Sequence, residues 1–413
     1  MIVILSSTNP QLSYLIGKNP SGIPIVRPLR SGFLFGWFDE NDSQKYVVYF
    51  HDDPDTCSFQ SIEGVNDAKY VNVGQYSSSL ILSSIINDLF SSAVKKHDSR
   101  DTLHQHQIYI SGFRIKNIKL FQSIRDSFPD IKFDYKHLVG FMYELTLIAD
   151  GALFDFIKVI SLLTILTSLG NKESITLDGG AIEKYYHHIN QVTTGKIIND
   201  GWYLRYLFKK RARVPKNQLH LLETPRLKLT YGNTSDARTD FIVDNVKDCK
   251  VDFLDIGCGT DLLIKRMIQK KCDSNYYLID ADLKVQEKLQ SRGLVCYSSI
   301  EKFYEAHPDF NGNVIMTEVI EHNEEIQAAI MVDMVLSHKP QQMFITTPNF
   351  DFNKFFDREG FRHDDHHWEM TWKQFQTWIT DIVKEYPYDV VFMGVGDSID
   401  EIPITSGVIL TRR

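Results

Sequence analysis

Short apolar runs, partly alternating with polar positions, dominate the first 150 residues. Residues 2–8, 33–38, 45–50, 108–113 and 141–148 are β-branched and aromatic, which predicts strands. Residues 78–96 switch period. Apolar pairs at Ile81/Leu82, Ile85/Ile86, Leu89/Phe90 and Ala93/Val94 repeat every fourth position and make one helix face. The longest apolar stretch is residues 153–169. Asp155 and Lys158 interrupt it and it is short for a bilayer, so it predicts a buried core helix and not a membrane span. Residues 181–192 predict a further helix. Residues 209–216 then carry five basic side chains and no acid, either a solvated helix end and linker or a contact for RNA phosphate.

The second half has a different pattern. Residues 251–256, 276–280, 313–317, 342–346 and 390–395 are apolar runs with helical periodicity between several of them. Buried strands alternating with helices predict an α/β fold with a mostly parallel sheet covered on both faces. A chain of 413 residues suits two or three domains. The change of period falls near residues 215–228. The expected organisation is a mixed α+β domain over residues 1–220 and the α/β domain over residues 225–413.

Composition narrows the class. With 43% hydrophobic and 24% charged residues the chain is a soluble globular protein, neither disordered nor a disulfide scaffold. A net charge of −8 excludes a generally basic nucleic-acid coat, so any such site must be a local patch. Cys57, Cys249, Cys258, Cys272 and Cys296 are sparse, odd in number and free of C-x-x-C, which suits free thiols in a reducing cytoplasm. The start, MIVILSSTNPQLS, lacks the basic region of a signal peptide.

The segment VDFLDIGCGTDLLIKRM reads as strand, turn and amphipathic helix, with Gly257 and Gly259 in the turn. Glycines there admit positive φ and close approach of a ligand to the backbone. Asp255 precedes the turn. Asp280 ends the next strand, where an acid can hold both hydroxyls of a ribose. Leu262 stands at the third glycine position of a nicotinamide fingerprint, so that pattern fails. The shorter D-x-G-x-G form resembles motif I of class I S-adenosylmethionine-dependent methyltransferases. Asp261 stands where that family often has another glycine.

A second constellation follows in NVIMTEVIEHNEE. Glu318, Glu321 and His322 at i, i+3 and i+4 would share one face of a helix beginning at the mouth of the sheet. Two carboxylates with an imidazole suit Mn²⁺, Fe²⁺, Co²⁺ or Zn²⁺, with Mg²⁺ also open. The later segment EGFRHDDHHWEMTW supplies His363, His366 and His367, any of which would complete the shell. The plainer reading is a capped helix start and solvated histidines.

Taken together, D-x-G-C-G, E-V-I-E-H, T-T-P-N and R-x-x-D-H-x-x-E-x-T resemble the methyltransferase domain of the small-RNA 3′-terminal ribose 2′-O-methyltransferases, named after the plant HUA ENHANCER proteins. That likeness covers about residues 225–413. QLSYLIGKNP, YVNVGQYSSSLILSSIINDLF, ITLDGGAIEKYYHHI and WYLRYLFKKR are similar to the N-terminal half of the bacterial members, a ligase-activating module of RNA repair. The resemblance implies a class I methyltransferase fold in the second half. It implies Glu318, Glu321, His322 and His366 as catalytic metal ligands. Asp255, Gly257, Cys258 and Gly259 would line S-adenosyl-L-methionine, Asp280 would hold its ribose, and Thr347, Pro348 and Asn349 would shape the substrate side. Where the family reads F-E-W-T-R, this chain has Trp368, Glu369, Met370, Thr371 and Trp372.

The implied activity is methyl transfer to the 2′-hydroxyl of the 3′-terminal ribose of a broken RNA, such as a cleaved tRNA, with Mn²⁺ or Mg²⁺. Only an RNA 3′ end presents the 2′,3′-diol that one ion chelates. The implied partners are a polynucleotide kinase–phosphatase and an RNA ligase, with no membrane. His366 is open as ligand or as general base. Two other readings are a non-catalytic ligase-activating scaffold and a methyltransferase for a small diol. A metal hydrolase leaves Asp255, Gly257, Gly259 and Asp280 without a role.

Overall fold

The computed structural model describes residues 1–29, 32–52, 59–61, 69–71, 79–95, 97–171, 179–194, 201–212, 214–247, 250–270, 274–356 and 360–413. Cys57, Cys249, Cys272, Arg213 of the basic run, and residues 72–78 and 175–178 of the N-terminal motifs lie outside the described residues. The chain divides into two compact units, Met1–Val214 and Pro215–Arg413.

The first unit carries β1 (Ile2–Ser7), β2 (Ile25–Leu29), β3 (Gly32–Asp39), β4 (Asp42–Asp52), β5 (Phe59–Ser61), β6 (Lys69–Val71), β7 (His104–Arg114), β8 (Lys132–Val139) and β9 (Met142–Gly151). Seven of them form one antiparallel sheet in the order β2-β3-β4-β1-β7-β9-β8, and β5 pairs with β6. Alternation works as predicted: Val3, Leu5, Val48, Phe50, Ile108 and Ile110 are fully buried on one face. Helix Leu153–Gly170 is 78% buried inside the unit, as a core helix. The single helix predicted over residues 78–96 is two, Ser79–Leu89 and Ser91–Lys95. Edge strands β2 and β8 had no sequence signal. Pro28 and the lysines of β8 suit an edge, where ladder pairing on one side is absent.

The second unit carries β10 (Leu227–Lys228), β11 (Phe253–Ile256), β12 (Tyr276–Ile279), β13 (Cys296–Tyr297), β14 (Asn313–Thr317), β15 (Gln342–Pro348), β16 (Tyr388–Ile399) and β17 (Ile402–Arg412). Their order is β10-β16-β17-β15-β14-β11-β12-β13. The run from β15 to β13 is parallel, and β17, β16 and β10 extend it antiparallel. Every residue of β11 and β15 is buried, which explains their mostly apolar, non-alternating pattern. Chain order runs one way from β11 to β13 and the other way from β14 to β15. The switch point therefore lies between β11 and β14, where doubly wound sheets open a crevice beyond the carboxyl ends of their strands.

Candidate active site

Both predicted constellations fall at that switch point. After β11 the backbone turns through Gly257 (φ +68°) and Gly259 (φ +56°), conformations that other residues adopt at a cost. A Cβ on Gly257 would lie 2.5 Å from Val319 Cγ2, whereas one on Gly259 would meet nothing within 4 Å. Gly257 is thus packed against the neighbouring turn, and Gly259 leaves an open side. Asp280, at the end of β12, accepts the Gly259 N–H at 2.8 Å on Oδ2 and the Asp282 N–H at 3.0 Å on Oδ1. It pins the glycine turn, and each oxygen keeps a lone pair for another donor. Cys258 Sγ lies 3.9 Å from the same Oδ2, and burial above all pushes its thiol up.

Asp255 is 6% exposed, and its Oδ1 is buried with no partner. Burial, and secondarily the charge of Asp280, pushes its carboxyl up to about 7. Asp261 is turned away from the cap of helix Leu262–Gln269, pairing with Lys265 at 3.0 Å and Arg292 at 3.0 Å. The hydrogen bond from Lys265 is the main cause holding it below the usual carboxylate range.

The metal constellation departs from the predicted helix. Glu318 takes φ +55°, and Ile320–His322 form a single 3₁₀ turn; the α-helix begins only at Glu325. The three side chains therefore do not share one α-helical face. Glu321 is 1% exposed, with Oε2 accepting from Thr347 Oγ1 at 3.1 Å and Oε1 buried without a partner. Burial first, then the charge of Glu318, holds its carboxyl well above the ordinary range. His322 Nδ1 lies 3.3 Å from Asp365 Oδ2, and its ring centroid is 4.8 Å from that of His366. Ligand atoms of Glu321, His322 and His366 all lie within 4.8 Å of one another. Glu318 is not in that group. Its carboxylate faces Arg238 at 3.3 Å and Thr346 Oγ1 at 3.5 Å.

His366 is held from behind. Its Nδ1–H donates to Glu369 Oε1 at 2.6 Å, which fixes the ring and leaves Nε2 as the nitrogen not engaged by Glu369. Glu369 also accepts from the Arg362 N–H at 2.5 Å and Asn353 Nδ2 at 2.6 Å, and Arg362 reaches the carbonyls of Ile404 and Asn349. Of the other histidines, His363 has its ring centroid 5.1 Å from His366, while His367 pairs outward with Glu324 at 2.9 Å.

Thr347, Pro348 and Asn349, expected on the substrate side, are all buried. Thr347 supports Glu321, and Asn349 Nδ2 donates to the Pro403 carbonyl at 3.0 Å. Arg238 and Asn353 were missed, and Arg362 and Glu369 stood in the R-x-x-D-H-x-x-E-x-T pattern without a role. Arg238 comes from helix Thr234–Asn245, far away in sequence, and nothing in its local pattern marks it.

The chain matches a family model described as the Hen1 N-terminal domain over residues 2–224. It is 29% identical over 175 residues to the small RNA 2′-O-methyltransferase of Mus musculus, covering 38% of this chain and 43% of that one. The small RNA 2′-O-methyltransferase of Drosophila melanogaster is 35% identical over 112 residues, 24% of this chain and 29% of its own. For that of Arabidopsis thaliana the match is 35% over 113 residues, 23% of this chain and 12% of its own. The matches thus span less than half the length of these relatives. A chain in the structure of the Pnkp1/Rnl/Hen1 RNA repair complex shares the fold, with a TM-score of 0.79, 24% identity and 100% of both chains covered.

Proposed function

The chain belongs to the Hen1 N-terminal domain family, and we propose that its second unit transfers a methyl group from S-adenosyl-L-methionine to the 2′-hydroxyl of a 3′-terminal ribose. The substrate is a broken RNA ending in a 2′,3′-diol, such as a cleaved tRNA, in the cytoplasm. The first unit supports a polynucleotide kinase–phosphatase and an RNA ligase, the partners suggested by the Pnkp1/Rnl/Hen1 repair complex. The observation that carries the reading is the Glu321–His322–His366 cluster, with an unpartnered carboxylate oxygen, one strand away from the Gly257–Gly259 turn.

The residues fit both absent groups. Asp280 has lone pairs left for the ribose hydroxyls of the cofactor, and the open side of Gly259 admits close approach. Glu321 Oε1 needs a cation or donor, and imidazole with carboxylate favours Mn²⁺ over Mg²⁺. A divalent ion at this cluster would chelate the terminal diol and stabilise the developing alkoxide. Glu321, His322 and His366 would hold that ion, while the Glu318 carboxylate faces Arg238. Glu369 fixes the tautomer of His366. His363, outside the cluster, is the imidazole we assign to take the hydroxyl proton. Alignment of the hydroxyl with the sulfonium methyl contributes in the range of about 7–11 kcal/mol typical of oriented reactants.

The test is transfer of labelled methyl to three RNAs of one sequence, ending in a 2′,3′-diol, a 2′-deoxynucleotide or a 3′-phosphate, with and without Mn²⁺. Label is expected only in the diol RNA with Mn²⁺, and not with Glu321→Ala or His366→Ala. Equal labelling of the deoxy-ended RNA, or transfer after metal removal, would refute the chelated-diol reading. For the first unit, the expected result is faster sealing by the kinase–phosphatase and ligase when this protein is added.

A further inference from the structure

A second cavity opens at the same carboxyl edge of the sheet. It has a volume of about 510 Å³, and its lining includes Asn349, Asp351, Trp372, Gly394, Glu401 and Pro403. Strand β17 runs antiparallel to β15, with Pro348 opposite Thr405, so the start of β17 lies beside the end of β15. Thr347, which holds Glu321, and Asn349, which lines the cavity, are two residues apart on one chain segment. That is a span of about 7 Å in extended backbone, comparable to one nucleotide of stretched RNA. One chain segment therefore both supports Glu321 and borders the cavity.

Its lining is chemically selective. Asp351 and Glu401 are acidic, and among the described residues no lysine or arginine lines it, so that lining disfavours phosphate. Gly394 and Gly396 have no side chains to fill it. A Cβ on Gly394 would sit 2.7 Å from Pro403, and Gly396 has φ +85° at a register shift of the β16–β17 hairpin. Trp372 is half-buried in this wall. Its backbone N–H is capped by Asp351 Oδ2 at 3.0 Å, but among the described residues its indole has no stacking partner and its Nε1 no hydrogen bond. Such an indole in an acidic cavity wall is a platform for the flat face of a base. Asp351 Oδ1, beside it, accepts from an exocyclic amine.

We propose that this cavity takes the base of the RNA's 3′-terminal nucleotide, stacked on Trp372, so that the same nucleotide is held by its base here and by its ribose at the metal cluster. The inference rests on the methyl-transfer reading above and adds the subsite that positions the substrate. Trp372 is then a binding residue, outside the proton and metal chemistry.

The experiment compares full-length wild type, Trp372→Ala and Trp372→Phe on RNAs that carry a normal nucleotide, a terminal abasic nucleotide or a penultimate abasic nucleotide. With intact RNA, Trp372→Ala should lower kcat/KM by about 10-fold or more, mostly through KM, and Trp372→Phe should recover most of it. On the terminally abasic RNA the two variants and wild type should fall within about 3-fold of one another, because the base that the indole holds is gone. Cofactor affinity measured alongside should be unchanged, which separates a binding role from damage to the fold. An equal loss from Trp372→Ala on intact and terminally abasic RNA overturns the inference alone, as does coupling to the penultimate base. No transfer by wild type to any RNA overturns the methyl-transfer reading and this inference with it.

Discussion

Gly257 and Gly259 have nearly the same backbone conformation and opposite surroundings, and that contrast yields a quantitative prediction. Alanine at either position adopts the left-handed region at a cost of about 1–2 kcal/mol. At Gly259 this is the whole penalty, because the new Cβ meets nothing within 4 Å. At Gly257 the Cβ would come within 2.5 Å of Val319 Cγ2, on a β-branched side chain with few alternative rotamers. Overpacking of that kind adds about 1–3 kcal/mol. Gly257→Ala should therefore destabilise the second unit by about 2–5 kcal/mol and Gly259→Ala by about 1–2 kcal/mol. Val319→Ala in the Gly257→Ala background should return the overpacking part, a coupling of about 1–3 kcal/mol in a double-mutant cycle. Urea unfolding of the full chain, read by hydrogen exchange in peptides of β11 and β14, reports this unit separately. The ranking should invert for binding per unit of stability lost. Gly259→Ala places its methyl on the open side of the turn, so affinity for S-adenosyl-L-methionine should drop steeply at the smaller cost in stability. Equal destabilisation by the two alanines, or no relief from Val319→Ala, would refute the packing argument.

Three further outcomes are expected. Glu369→Gln removes the charge behind His366 and Thr347→Val the donor to Glu321, and each should weaken Mn²⁺ binding by about 10–100-fold in calorimetric titration. Asp255 has a folded value of about 7 against an ordinary 3.8, so the folded state binds the extra proton and stability falls as pH rises from about 4 to 7. Asp255→Asn should raise cofactor-free stability by up to about 4 kcal/mol at pH 8 and change it little at pH 4.5, which urea midpoints at the two pH values will show. In the first unit, burial lowers the amine of Lys158 to about 8 from 10.5. The unfolded chain holds the extra proton, so stability rises with pH between those values. Lys158→Met should stabilise that unit by about 1–3 kcal/mol at pH 7, after loss of the contacts with Gln191 and the Phe154 ring, and the gain should vanish near pH 10.5.

What could be read from sequence followed burial. The central strands β11, β14 and β15 have apolar side chains on both faces, so their runs lack the polar alternation of a half-exposed strand and stand out. Edge strand β8 has mostly exposed positions in its second half, including Lys136 and His137, and its pattern is that of a loop. The site behaved likewise. Asp255, Gly257, Gly259 and Asp280 announced themselves because a strand–turn–strand unit constrains their spacing. Spacing also singled out Glu321 and His322, but it misassigned the backbone that presents them. A helical i, i+3, i+4 pattern and a left-handed residue followed by a 3₁₀ turn carry the same letters, and only the φ of Glu318 separates them. Arg238 stayed hidden because its partner Glu318 is a tertiary neighbour.

The strand register explains why two motifs about 60 residues apart make one site. Parallel pairing sets Ile256 opposite Met316, so β11 and β14 finish level and their following turns emerge side by side. Val319 then fills the space that a side chain on Gly257 would occupy. The residue that fixes the approach of the two turns lies between Glu318 and Glu321. A displacement of the glycine turn is therefore passed to Glu318 and Glu321 through the packed Val319 side chain. A methyl donor on the first turn and a hydroxyl on the second would keep their separation for the same reason. Truncation of Val319 should accordingly impair alignment more than it impairs the binding of either ligand alone.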